Sequence, residues 1–105
     1  MNAKAYDKKT LRRIAHHLDP VVIIGDSGMS EGVVQETERA LTDHELIKVR
    51  INSADRADRV TTGDSLATSC NADVVQRIGK VLILYRANPK ANPKLSNLQR
   101  FAGGA

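Results

Sequence analysis

Val21-Val22-Ile23-Ile24-Gly25-Asp26-Ser27-Gly28-Met29-Ser30-Glu31 passes from an aliphatic run through a glycine-flanked loop to a helix start, and that passage decides the fold class. The unbroken run Val21 to Ile24 suits a strand buried in a sheet interior. Gly25 through Gly28 form a loop. Ser30 is a favourable N-cap for the helix that follows, and Met29 before it can staple against Val34.

Upstream, Leu11, Ile14, Ala15 and Leu18 recur at helical spacing, which leaves Lys8, Arg12 and Arg13 turned outward; Pro20 helps to end that first helix. Downstream, Val33, Thr37, Ala40 and Leu41 line one side of a second helix that runs to about Leu41. Ile47, Val49 and Ile51 then alternate with Lys48 and Arg50, so a half-buried strand carries two cations on its other face. A third helix spans about Ala57 to Cys70, with Gly63 inside it. Val74 to Ile78 and Val81 to Arg86 are antiparallel strands joined by Gly79-Lys80, whose leading glycine suits a type II′ turn. The order α-β-α-β-α-β-β predicts an α/β domain over residues 1–86: a four-stranded mixed sheet with helices packed mainly on one face. Asn88-Pro89, Asn92-Pro93 and Gly103-Gly104 break every period beyond it. Residues 87–105 therefore read as a disordered basic tail, although Leu95, Leu98 and Phe101 fall three apart and leave room for a short helix that docks on the domain.

The chain has 105 residues with 16 Lys plus Arg against 12 Asp plus Glu, and the excess sits at its ends. Residues 1–18 and residues 86–105 each carry +4, which leaves the middle at −4. Basic clusters gain affinity for polyanions by releasing their counterions. An anionic membrane would need large apolar anchors opposite the basic face, which Leu11, Ile14 and Leu18 do not supply. Nucleic acid is the better partner. With Tyr6, Tyr85 and Phe101 as the only aromatics, recognition should run through phosphates and shape rather than base stacking.

The single Cys70 forms neither an intramolecular disulfide nor a multi-cysteine zinc site, and the start of the chain lacks the apolar core of a secretory signal. A cytoplasmic, monomeric protein without metal or cofactor is expected. Gly25 to Val33 contains no Lys and so cannot be a nucleotide-hydrolase phosphate loop. His16, His17 and His44 have no Cys or carboxylate at ligand spacing. No catalytic constellation and no small-molecule substrate are indicated.

Three motifs in register carry a resemblance: Gly25-Asp26-Ser27-Gly28-Met29-Ser30-Glu31-Gly32-Val33, His44-Glu45-Leu46-Ile47-Lys48-Val49, and Ile78-Gly79-Lys80-Val81-Leu82-Ile83-Leu84-Tyr85-Arg86. Over Thr10 to Arg86 the chain resembles the YhbY family of single CRM (chloroplast RNA splicing and ribosome maturation) domains. The resemblance implies an RNA-binding protein that associates with rRNA in precursors of the large ribosomal subunit, with a fold similar to the C-terminal domain of translation initiation factor three. It equates the family's GxxG loop with Gly25, Asp26, Ser27 and Gly28, and sets the first helix beside that loop. Lys8, Lys9, Arg12 and Arg13 thereby join Lys48 and Arg50 as candidate phosphate contacts, and Lys80 and Arg86 enter from the third motif. Asp26 departs from simple phosphate binding, because a carboxylate repels the ligand. From composition alone, a basic module docking to an acidic protein partner remains the alternative.

Overall fold

The computed structural model describes residues 6–101. Its elements are α1 (Lys8–Ala15), β1 (Pro20–Ile24), α2 (Glu31–His44), β2 (Leu46–Ile51), α3 (Arg56–Ser69), β3 (Asp73–Ile78), β4 (Val81–Tyr85) and α4 (Asn97–Phe101). The strands form one mixed sheet in the order β1-β2-β4-β3. β1 and β2 are parallel, and β4 runs antiparallel to both β2 and β3; the mixed sheet and the antiparallel β3–β4 pair are as the sequence predicts, and the structure adds that β4 lies beside β2. Gly79 takes the positive φ of 55° that the tight β3–β4 turn requires.

Alternation along the strands sorts the core into two layers. Val22, Ile24, Ile47, Val49, Ile51, Leu82 and Leu84 face Leu41 of α2 and Leu66, Ala67 and Cys70 near α3. Leu46, Val75 and Ile83 face the other way, against Leu11, Ile14 and Ala15 of α1 and Leu98 of α4. The two 14-residue helices α2 and α3 thus share one face, and the short α1 and α4 cover part of the opposite one. Gly63 lets α3 approach closely: a Cβ there would stand 3.1 Å from Leu82 Cδ2. The helix ends on Asn71 in the left-handed region (φ 55°), with Ala72 N–H donating to the Ala67 carbonyl and Asn71 N–H to that of Thr68.

Three local expectations change. β1 is an edge strand rather than an interior one, so only Val22 and Ile24 are buried, while Val21 and Ile23 stay 44% and 58% exposed. An aliphatic run marks a strand but does not say how many neighbours flank it. α2 continues past Leu41 to His44, because Thr42 is held from beyond β4: its Oγ1 accepts from Arg86 and its carbonyl from Asn88. The segment after Arg86 is not a free arm over the described residues. Asn88 N–H and Ser96 Oγ donate to the two oxygens of the buried Glu45 carboxylate at 2.8 and 2.7 Å, Asn97 Nδ2 donates to the Leu46 carbonyl, and Leu98 is fully buried. The docked short helix that the spacing of Leu95 and Leu98 allowed is the form adopted; Gly103 and Gly104 lie outside the described residues.

Candidate nucleic-acid interface

The carboxyl ends of the two parallel strands meet at one edge of the sheet. β1 stops at Ile24 and β2 at Ile51, and Asn52 N–H donates to the Ile24 carbonyl at 2.9 Å, so the segments leaving both strands start side by side. The β3–β4 turn reaches the same edge, where Ile51 N–H donates to the Lys80 carbonyl at 2.7 Å. Ligands of α/β sheets collect at the carboxyl ends of parallel strands. Both α2 and α3 also begin here, and the first-turn N–H groups of a helix favour an anion.

Gly25 to Gly28 close a tight turn through a 3.0 Å bond from Gly28 N–H to the Gly25 carbonyl, with Asp26 and Ser27 exposed at its tip. Gly28 has φ 76°, which accounts for glycine there. Gly25 is not in that region, and among the described residues nothing lies within 4 Å of a Cβ built on it. Neither backbone conformation nor crowding by the described residues demands glycine at 25, and among them the space beside it is open to a ligand. Ser30 caps α2 by accepting from Val33 N–H at 3.1 Å.

Arg50 stands at this edge with Nε donating to Asn52 Oδ1 at 2.8 Å, and Lys80 is exposed on the turn. A cross-strand row Ile23, Arg50, Val81, Ile78 crosses all four strands on the face that α1 shares, with Ile78 55% exposed. Leu46, Lys48 and Arg50 follow one another on that face. Lys48 therefore lies between the edge and α1, whose buried side packs at the Leu46 end. Lys8, Lys9, Arg12 and Arg13 are exposed on the outer side of α1. The structure thus brings Gly25, Asp26, Ser27, Gly28, Arg50 and Lys80 together, and connects the α1 cations to them only along the sheet face through Lys48.

Arg86 is not part of this group. Its guanidinium donates to Glu38 Oε1 at 2.7 Å, to the Cys70 carbonyl at 2.8 Å and to Thr42 Oγ1 at 3.0 Å, tying α2 and the end of α3 to the end of β4. Donors committed to internal acceptors are not offered to a phosphate. The neighbouring Cys70 thiol donates to the Val34 carbonyl, and burial, then the Glu38 carboxylate, push its pKa up; it is a packing residue. His44 likewise serves structure, donating from Nδ1 to the Leu95 carbonyl at 2.8 Å.

Sequence reasoning missed Arg56, Arg59 and Arg77, which line the same edge around a cavity between α3 and the β3–β4 turn. A signal for the first two was present. Arg56 and Arg59 open the third helix at i, i+3 directly after the strand that carries Lys48 and Arg50, where acids rather than bases suit the helix dipole. Among the described residues, no His, Cys, Asp and Glu side chains are grouped to hold a metal ion, and no helix is long and apolar enough to cross a membrane.

Residues 4–86 match the CRS1 / YhbY (CRM) domain. The chain is 52% identical over 96 residues to a Pseudomonas aeruginosa protein named "Probable RNA-binding protein", covering 91% of this chain and 92% of that one. It is 43% identical over 88 residues to a Haemophilus influenzae protein named "RNA-binding protein", covering 84% and 89% respectively. Among solved structures, that of a hypothetical Staphylococcus aureus protein superposes with a TM-score of 0.72 at 29% identity, covering 81% of this chain and 88% of the other.

Proposed function

Because this chain belongs to the CRS1 / YhbY (CRM) domain family, we propose that it is an RNA-binding protein that associates with rRNA in precursors of the large ribosomal subunit. The names of its relatives support the RNA partner. The observation that carries the reading is the convergence at one sheet edge of the Gly25–Gly28 turn, two helix N-termini and the cations Arg50 and Lys80. A phosphate approaching Gly25 meets no Cβ and finds N–H donors of the following helix turn, while the cations hold the flanking backbone. Lys48 and the outer side of α1, with Lys8, Lys9, Arg12 and Arg13, extend the basic track. The role is binding rather than catalysis, by a monomer acting in the cytoplasm.

Fluorescence anisotropy with fragments of large-subunit rRNA tests this. Log affinity should fall linearly with log salt, with a slope of roughly −0.7 to −0.9 per phosphate neutralised, taking nucleic-acid values as a guide. Salt-independent affinity would overturn the electrostatic mechanism. In cell extracts the protein should sediment with large-subunit precursors and cross-link to their RNA. Retention by an acidic protein after nuclease treatment, with no RNA cross-link, would instead identify a protein-docking module.

A further inference from the structure

The inward stripe of α3 changes character along its length. Cys70, Ala67, Leu66 and Gly63 face the sheet and are buried, and the same stripe continues one and two turns earlier as Val60, Arg59 and Arg56. Helical spacing thus aims two arginines where a core helix normally places apolar residues. They do not fill the interior. Beyond Gly63, a cavity of about 300 Å³ opens between this end of α3 and the β3–β4 turn, floored by Ile51 and Leu82. Val60 and Val81 supply apolar wall, and Arg56, Arg59, Arg77 and Lys80 supply charge.

The cations have distinct settings. Arg59 is pre-oriented, donating from Nη1 to the Ser53 and Ala54 carbonyls at 2.9 and 3.1 Å. Arg77 is partly neutralised by Asp64. Arg56 and Lys80 are exposed at the mouth. Asp55 caps the helix by accepting from Ala57 N–H, and Asp58 lies in its first turn, so the local charge is not purely positive. Even so, Arg56 and Arg59 sit at the positive end of the helix dipole, an arrangement that costs stability until an anion is present. The volume is at the lower bound for ligand pockets, which admits one nucleoside-sized group and excludes a large cofactor.

Building on the RNA-binding reading above, we propose that this cavity receives a single nucleotide of an RNA strand. Its base or ribose would lie against Val60 and Val81, and its phosphate among Arg56, Arg59 and Lys80. The Gly25–Gly28 turn holds backbone, and the cavity adds a place where one unpaired nucleotide is distinguished from the bare phosphate charge of a duplex. The shared chemistry, a phosphorylated nucleoside, could also come from a free nucleotide, and the test separates the two.

Amide resonances of the full chain are followed by NMR during titration with a single-stranded RNA hexamer, the four nucleoside 5′-monophosphates, and inorganic phosphate. The RNA should shift Val60, Lys80 and Val81, and inorganic phosphate should leave Val60 and Val81 in place. The double variant Arg56→Gln with Lys80→Gln changes only exposed side chains; it should keep the folded spectrum and weaken hexamer binding by about tenfold or more, as two phosphate contacts imply. Shifts confined to α1 and the Gly25–Gly28 turn would overturn the cavity proposal and leave RNA binding standing. Phosphate reproducing every shift would reduce the cavity to a charge patch, and monophosphates binding without the RNA would make it a free-nucleotide site; either result overturns the proposal. An RNA that moves no resonance would overturn both this inference and the reading on which it rests.

Discussion

Glu45 combines two unfavourable features in one residue: a non-glycine backbone at φ 63° and a carboxylate buried to 7% exposure. Such a conformation costs about 1–3 kcal/mol and persists only when its surroundings enforce it. Here the backbone closes α2 and receives the Arg86 N–H, while the carboxylate holds Asn88 and Ser96. Glu45→Ala should therefore destabilise the protein by about 2–4 kcal/mol in urea unfolding, since two donors lose a charged acceptor. Glu45→Gln keeps the shape and an acceptor and should cost about 1 kcal/mol. The two loop glycines separate in the same way. Gly25→Ala should leave unfolding unchanged, because its Cβ meets nothing among the described residues, yet weaken RNA binding measured by anisotropy. Gly28→Asp, at φ 76°, should cost about 1 kcal/mol, aspartate tolerating that region better than most residues, and should weaken binding more by adding charge. Normal affinity in both variants would remove the turn from the interface.

At the scale of elements, α1 has an acid-sensitive start. Asp7 accepts from Thr10 N–H at 2.8 Å, and that bond, chiefly, holds its carboxyl below the ordinary value of 3.8. Folding therefore favours the ionised form. The contribution is complete above the unfolded value and is lost as pH falls through the lower folded one, so the Thr10 amide should titrate below about pH 3.8. Asp7→Asn, which cannot titrate, should flatten that response. Elements such as β1, the glycine turn and α2 were legible because their signals are local: an apolar run, two glycines, and a serine cap. The α4 docking was only half legible, as apolar residues three apart, because what holds it is Glu45 and Leu46, about half the chain away in sequence. Arg86 misled for the same reason. Its charge is visible in the sequence, but Glu38 and Thr42, which use it, are adjacent only in space. Arg56 and Arg59 were missed although both stand at a helix start in the sequence, because the cavity they line exists only once the β3–β4 turn is packed beside them.

Across the whole molecule, charge and packing divide the segment after Asn88. Truncation there removes the fully buried Leu98 and the Ser96 partner of Glu45, and should cost about 3 kcal/mol. For a domain of this size that lowers the melting temperature by roughly 10–20 °C. Loss of Lys90, Lys94 and Arg100 should also make the salt slope of RNA binding shallower. Unchanged melting would show that the segment contributes nothing to the core. The layer beneath α1 has a further consequence for the order in which the chain is made. Leu11 and Ile14 leave the ribosome before much of the surface that buries them, which includes Val75 of β3, Ile83 of β4 and Leu98 of α4. At about 5–20 residues per second, α1 waits roughly 5–15 s for its seat to be synthesised. Over that interval β1, α2 and β2 can already pair, since all their contacts with one another lie within the first half of the chain. α1 thus precedes its seat in synthesis and is seated only after β3, β4 and α4 follow it, and until then its apolar side faces solvent beside its exposed cations.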